Sequence, residues 1–388
     1  QVQFGPCATQ VLGDFGADII KIERPGVGDI SRTTDPFITE ENGESAYFMA
    51  LNRNKRSIAL DIRKPDGREV FLKLIAQADV LVHNFRPDVM ARMGFDAETL
   101  RKQFPRLIYA SGSGFGASGP LSHKGGQDFL AQSLSGLVMR NPDKTGRPQL
   151  FPTALGDFSG GMILAQGILM ALYAREKTGQ GDTIELNLLD TLMAMQQQEI
   201  TQWLLRKREV NWVQQYLIDV FETADGAVTL VGVFRDNPLK AICQALELDD
   251  LSAREDYSTQ AKQMENRAAL WEALGAGFAR YTTSECVERL DKVDILCAEV
   301  NSLDQALSHP QVSHNDFLVD FDHPVHGTVT TAGNPLRFGA VDRVAKQPPP
   351  VLGQHSSEVL TSLGYDEAGV EALLKSGVVQ QSERTRHA

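Results

Sequence analysis

Asp157 is the side chain best placed to do chemistry. It stands in "TALGDFSGGMILAQGILMALYAREKTGQG" (residues 153–181), just ahead of a Ser-Gly-Gly run that opens an apolar helical stretch. Two readings of that placement stay open. Aspartate is a preferred N-cap, so it can simply close the start of the helix. Alternatively, the positive end of the helix keeps the carboxylate ionised and nucleophilic, and the glycines admit a ligand or a second backbone at close range. Gly160, Gly161, Ala165, Gly167, Ala171 and Ala174 are spread among Ile163, Leu164, Ile168, Leu169 and Leu172, which predicts a tightly packed, buried helix.

Basic residues form the second group. Arg24 follows a strand-like run in "KIERPGVGD". "LNRNKRSIALDIRK" places Arg53, Lys55 and Arg56 before a strand and Arg63 and Lys64 after it, and "HNFRPDVMARMGF" supplies Arg86 and Arg92. In a chain of net charge −12, basic groups gathered at strand ends point to a small, phosphate-rich ligand. The bland alternative for each is a solvated charge paired with an acid. No GxGxxG opens a helix after the first strand and there is no Walker-A loop. The Gly-rich run 111–120 fits neither spacing and reads equally as a flexible or a ligand-closing loop. Gln127 can aim its amide at a reacting centre, and Asp128 is expected to cap a helix starting at Phe129. His123 reads as a surface loop residue. Arg235 reads as an anchor for a substrate carboxylate or as an ordinary surface pair.

The elements that must hold these residues alternate. Residues 7–16 suit a helix, "ADIIKIE" and "SIALDI" suit strands, and "PDGREVFLKLIAQA" is amphipathic. "DVLVHNF" and "RLIYASGSGF" read as strands around the short helix "DAETLRKQF". The pattern predicts an α/β fold with a mainly parallel sheet and helices on its faces. Ligands then sit at the carboxyl ends of the strands. An α/β domain normally places a strand before its first helix, so a strand upstream of Gln1 is expected. Residues 183–207 read as a strand and one long helix. After them come strands joined at "TADGA", a mostly helical stretch over 237–300, and returning strands from about 316. The last part is a helical segment over 356–377 and a frayed polar tail. The expected division is a large α/β part over 1–195, a linker over 196–216, a smaller α+β domain over 217–305, a linker over 306–330 and a C-terminal return over 331–388.

Length and 42% hydrophobic residues allow a large core and two domains. The acidic balance excludes a general nucleic-acid or anionic-membrane binder. No apolar run is expected to reach the roughly 18–20 residues that span a bilayer. Four scattered cysteines without CxxC spacing read as reduced thiols of a cytoplasmic protein. The eight histidines form no ligating motif, so no metal is expected.

Several long blocks in one order resemble the family III CoA-transferases, the CaiB–BaiF family, with formate- and oxalate-using members nearest in pattern. They are "VQFGPCATQVLGDFGADIIKIERPGVGD", "ESAYFMALNRNKRSIALDI", "ADVLVHNFRPDVMARMGF", "PRLIYASGSGFG", "ALGDFSGGM", "ALYAREKTGQGDTIELNLLD" and "PPVLGQHSSEVLTSLGY". The resemblance runs over nearly the whole chain and is weakest over about 200–300. It implies a Rossmann-like domain built from both chain ends, a small second domain and an interlocked homodimer. It implies no permanently bound cofactor, with coenzyme A and its acyl thioesters as substrate and small carboxylic acids as partners. By resemblance the nucleophilic aspartate is Asp157. CoA-contacting positions fall on Val2, Gln3, Arg24, Leu60, Asp61, Ile62, Arg63, Asn84, Phe85, Arg86 and Arg92. Further site positions fall on Gly125, Gly126, Gln127 and Asp128. The implied activity moves CoA between carboxylic acids through an aspartyl-CoA thioester, with backbone N–H groups at Gly160–Gly161 and the Gln127 amide as oxyanion donors.

Three departures from the family pattern stand out. Formate-using members carry a tetraglycine loop in the small domain, whereas residues 205–235 contain only Gly226 and Gly232. The position matching Gln127 is commonly Tyr in the transferases and is His in related α-methylacyl-CoA racemases. A frequent Cys-Pro becomes Cys297-Ala298. A racemase-like isomerase and a non-catalytic acyl-CoA-binding protein are the alternative readings.

Overall fold

A computed structural model describes residues 1–38, 44–143, 145–323, 326–340 and 347–382. The chain divides into two compact units, one of residues 1–197 with 316–388 and one of residues 198–315. The expected frayed tail lies mostly at 383–388, outside the described residues.

The first unit begins with α1 (Phe4–Asp14), β1 (Ile19–Glu23), α2 (Ala46–Asn52), β2 (Lys55–Leu60), α3 (Pro65–Gln77) and β3 (Val80–His83). It continues through α4 (Pro87–Arg92), α5 (Ala97–Gln103), β4 (Ile108–Ser113), α6 (Asp128–Leu134), α7 (Leu155–Thr178), β5 (Thr183–Asn187) and α8 (Leu188–Ala194). β1 pairs in parallel with β2, and β3, β4 and β5 form a second, wholly parallel sheet. Mixed α/β architecture is therefore what the alternating pattern produces.

The second unit carries α9 (Gln197–Arg206), α10 (Trp212–Gln215), β6 (Ile218–Glu222), β7 (Ala227–Val231) and α11 (Pro238–Ala245). It goes on through α12 (Gln260–Glu265), α13 (Arg267–Phe278), α14 (Thr283–Asp291), β8 (Leu296–Glu299), α15 (Leu303–Ser308) and α16 (Pro310–His314). β6, β7 and β8 make an antiparallel sheet over a core that includes Phe221, Leu230, Ile242, Leu270 and Phe278. Two helices occupy much of the span read from sequence as a 196–216 linker. The long helix expected to follow β5 is broken at Met195–Gln196 into α8 and α9.

The chain then returns to the first unit as an antiparallel hairpin, β9 (Leu318–His323) and β10 (Gly327–Ala332), inside the span read as a 306–330 linker. α17 (Ser356–Ser362), α18 (Glu367–Lys375) and β11 (Val379–Gln380) complete it. β11 adds antiparallel to β2, and Val359, Leu360 and Val379 share one buried cluster with Ile58, Val70 and Leu107. Phe4, Ala8, Leu164, Ile168, Leu188 and Leu192 make the second cluster of this unit.

α7 corrects two expectations. By length and composition it could cross a membrane, with a mean hydropathy of 1.4 over its best 18-residue window, 33% of it buried. It is also buried on one side only. Gly160, Gly161, Leu164, Ala165 and Ile168 face the protein, while Phe158, Leu169, Met170 and Tyr173 are exposed. The small residues allow close packing against α1, and the large apolar ones lie on the opposite face.

Candidate active site

Asp157 lies in the first turn of α7, not at its cap. Ala154 precedes the helix and offers no side-chain cap. The orphan N–H groups of a helix start need outside acceptors, and here the acceptor comes from α6. Asp128 Oδ2 accepts from the Asp157 N–H at 2.8 Å. Asp128 is 1% exposed, and its Oδ1 accepts from Gln132 Nε2 at 2.7 Å. Gln132 also donates to the Thr153 carbonyl at 3.1 Å and accepts from the Phe151 N–H at 3.1 Å. One side chain of α6 thus fixes the segment that leads into α7, and another fixes the backbone of Asp157 itself.

The capping reading of Asp157 is therefore replaced, as is that of Asp128. The residue that caps α6 is Gln127, whose Oε1 accepts from the Phe129 N–H at 3.1 Å. Gln127 is exposed and its Nε2 remains a donor. The Asp157 carboxylate accepts no hydrogen bond and meets no ion-pair partner among the described residues. Half burial pushes its pKa up to about 6, with the negative charge of Asp128 adding to the rise. Desolvation thus outweighs the helix start, which sequence reasoning expected to hold the group fully ionised. The neighbouring Cys7 thiol is pushed up to about 12, mainly by burial, so it stays neutral.

Gly160 and Gly161 do not supply oxyanion donors. They lie beyond the first four N–H groups of α7, in the run where backbone donors are bonded within the helix. Their faces are closed by α1: a Cβ on Gly161 would fall 2.4 Å from Cys7 Cβ. They are packing positions.

Most of the basic residues singled out in the sequence are engaged elsewhere. Arg53 is buried against Asp14, Lys55 is buried and donates to the Pro6 and Leu51 carbonyls, and Arg56 pairs with Asp18 and Glu358. Arg63 grips Asp61 with two 2.8 Å bonds, and Lys64 reaches the Ser376 and Gly377 carbonyls. Arg235 donates to the Val293 carbonyl and pairs with Asp294 within the second unit. Arg24 and Arg86 have no ion pair among the described residues and are exposed at the carboxyl ends of β1 and β3.

The remaining predicted positions gather around those strand ends. Arg86, Pro87, Asp88, Arg92, Ala117, Ser122 and His123 line a cleft of about 470 Å³. Arg92 is ion-paired to Asp88 there. Gly125 lets the Arg86 guanidinium cross the loop, since a Cβ would stand 2.8 Å from Nη2. Gly126 and Gly114 touch backbone to backbone, so the loop after β4 folds directly onto the approach to α6. Val2, in the left-handed region at φ 61, donates its N–H to Asp29 Oδ1, and Gln3 precedes α1. Leu60 is buried, ending β2, whereas Asp61, Ile62 and Arg63 form the turn into α3. Asn84 lies against the start of α1, its Oδ1 3.4 Å from where a Gly5 Cβ would be, and Phe85 stacks on His83.

Sequence reasoning missed two groups. Ser122 and His123 belong to the cleft wall, for which one loop histidine gave no signal. His83 is buried, its Nε2 2.8 Å from the Tyr109 hydroxyl, which donates to the Phe95 carbonyl. Its Nδ1 accepts from the Phe85 N–H, so His83 secures the Asn84–Arg86 turn. Burial lowers its pKa to about 4, and it is neutral there. Among the described residues no group of three or more His, Cys, Asp or Glu could hold a metal ion.

An unpaired carboxylate at a helix start, together with a basic cleft at the carboxyl ends of parallel strands, fits a protein that handles an anionic, activated ligand. CoA-transferase family III matches residues 1–356. The chain is 35% identical over 389 residues to the mouse succinyl-CoA:glutarate CoA-transferase, covering 99% of this chain and 88% of that protein. It is 30% identical to the formyl-CoA:oxalate CoA-transferase of Escherichia coli O157:H7, covering 97% and 96%. A CaiB/BaiF family protein from Brucella suis superposes with a TM-score of 0.83 at 29% identity, covering 94% of this chain and 96% of that one. The chain belongs to CoA-transferase family III. It is an enzyme that moves CoA between carboxylic acids, with CoA thioesters as substrate.

Proposed function

We propose that Asp157 carries CoA through a covalent aspartyl thioester. The observation behind this is a half-buried carboxylate with no partner among the described residues, its backbone held by Asp128. At pH 7 a carboxyl of pKa about 6 is about nine-tenths ionised, and its raised basicity favours attack. The carboxylate adds to the donor thioester carbonyl, the C–S bond breaks and CoA thiolate leaves, giving a mixed anhydride. The thiolate attacks the Asp157 carbonyl of that anhydride, the donor acid departs as its carboxylate, and Asp157 holds CoA. The acceptor carboxylate attacks this thioester and expels the thiolate, forming a second mixed anhydride. The thiolate attacks its acceptor carbonyl and frees Asp157. No electron or proton is consumed overall.

Each tetrahedral intermediate needs a donor for its oxyanion. With Gly160 and Gly161 closed by α1, the Gln127 Nε2 is the side-chain candidate, a contribution on the order of 3 kcal/mol. Arg86 and Arg92, with Ser122 and His123, receive the phosphate-bearing part of CoA, and the exposed Arg24 after β1 is a further basic contact. Both named relatives pair CoA with a dicarboxylate, glutarate or oxalate, which supports a small dicarboxylate acceptor here. The interlocked homodimer belongs to the same reading, supported by the exposed Phe158, Leu169, Met170 and Tyr173 of α7. A cytoplasmic location is supported by four free cysteines. The test is a screen of mono- and dicarboxylate acceptors against succinyl-, acetyl- and formyl-CoA, with Asp157→Asn in parallel. Dicarboxylate-dependent thioester exchange that vanishes in the variant is expected. Undiminished exchange in Asp157→Asn would overturn the reading.

A further inference from the structure

Phe4 is the first residue of α1 and 2% exposed. Its ring lies between two glycines on different elements. A Cβ on Gly112, in β4, would fall 2.7 Å from Phe4 Cε1, and one on Gly160, in α7, would fall 3.0 Å from Phe4 Cε2. The first is closer than real Cβ atoms come, and the second is tight enough that the ring would have to give by a few tenths of an ångström. The ring therefore occupies the space that two side chains would otherwise fill. The Phe4 carbonyl stands 3.0 Å from where a Gly161 Cβ would be, so the backbone of α1 is seated on α7 at the same place.

Each element touching this ring carries part of the candidate site. α1 is preceded by Gln3. β4 leads into Gly114, which crosses against Gly126 beside Gln127. Gly160 is three residues beyond Asp157 in the same helix. We infer that Phe4 is a positioning residue for the transfer reaction: its ring, wedged between Gly112 and Gly160, sets how the first turn of α7 meets the start of α1 and the end of β4, and so where the Asp157 carboxylate stands. This rests on Asp157 being the nucleophile. The ring touches no reacting atom. It acts through the backbone to which Asp157 is attached, and small displacements of a reacting group are costly to rate.

The wedge predicts a compensating pair. Gly160→Ala pushes a methyl group onto the ring, and Phe4→Leu removes the ring atoms that the methyl meets. Steady-state kinetics and thermal melting are measured on the folded dimeric or monomeric enzyme as isolated, for wild type, Phe4→Leu, Gly160→Ala and the double variant, with Asp157→Ala as reference. Each single variant is expected to lose roughly tenfold or more in kcat, with KM for acyl-CoA within about threefold because neither position lines the basic cleft. The double variant should regain most of the kcat lost by Gly160→Ala. A purely structural role would instead lower the melting temperature and leave kcat per folded molecule unchanged. Wild-type kcat in both folded single variants, with Asp157→Ala inactive, would overturn the wedge alone. Turnover retained by Asp157→Ala would overturn the nucleophile reading on which it rests. If Gly160→Ala does not fold, Phe4→Leu and Phe4→Met still carry the test through their kcat.

Discussion

At the scale of single residues, the account turns on a carboxylate whose charge is costly. Burial and the Asp128 charge both favour the protonated form of Asp157. The reactive form is the anion, so activity should fall as pH drops through about 6 and level off above it. A pH–rate profile of kcat checks this. Asp128→Asn keeps an oxygen that can accept from the Asp157 N–H but removes the charge, so the acid limb should move to lower pH. An unmoved limb would mean that Asp128 acts only as a hydrogen-bond acceptor. Arg86→Ala should raise KM for acyl-CoA by roughly tenfold or more with kcat little changed, since a charge-assisted contact made equally in ground and transition states is lost. Initial-rate kinetics against acyl-CoA concentration separate the two. The candidate carboxylate was legible in the sequence as an acid at the start of an apolar helix, although residue type alone left it open as a cap or a reacting group. What was not legible was which acid caps which helix. Asp157 and Asp128 both read as caps by type, and only the fold shows that Gln127, read as an amide donor, caps α6 while Asp128 reaches across to α7.

At the scale of elements, short-range pattern placed most of the parts. β1 falls inside "ADIIKIE" and β2 ends just before Asp61, because apolar runs bounded by polar turns have few other uses in an alternating α/β chain. The long helix expected after β5 failed because its break at Met195–Gln196 carries neither proline nor glycine. For several basic residues the simpler reading, a charge paired with an acid, is the one found. Arg53, Arg56 and Arg63 have acidic partners at Asp14, Asp18 and Asp61, and only the adjacent pair was visible along the chain. Of the two readings of the α7 glycines, a ligand or a second backbone at close range, the structure shows the second, with α1 seated against Gly160 and Gly161. Gly161→Ala should destabilise the protein by about 1–3 kcal/mol, since its methyl would meet Cys7 Cβ at 2.4 Å. Chemical denaturation measures that loss directly.

At the scale of the whole molecule, the sequence's return to its first unit is written in complementary surfaces. β11 pairs with β2, and Val359 and Leu360 complete the cluster around Ile58. Composition gave the core its size but could not tell which apolar residues face outward. Leu169 reads as part of a buried helix, and it stands exposed at 54% beside Phe158, Met170 and Tyr173 at 55%, 68% and 66%. An apolar face of this kind is unusual for a surface left to water and is the expected seat of a second copy. Under the proposed homodimer, Met170→Glu with Tyr173→Glu should shift the sedimentation coefficient from that of a dimer to that of a monomer. An unchanged sedimentation coefficient would place the interface elsewhere.

The central claim is that CoA rests on Asp157 between the two half-reactions. It is tested most directly by incubating the enzyme with donor acyl-CoA, quenching with hydroxylamine or borohydride, and mapping the peptide that contains Gly156–Asp157–Phe158 by mass spectrometry. Conversion of Asp157 to its hydroxamate or to homoserine, absent without acyl-CoA and absent in Asp157→Ala, is the result predicted. An unmodified Asp157 in enzyme that turns over, or a label on another residue, would contradict it.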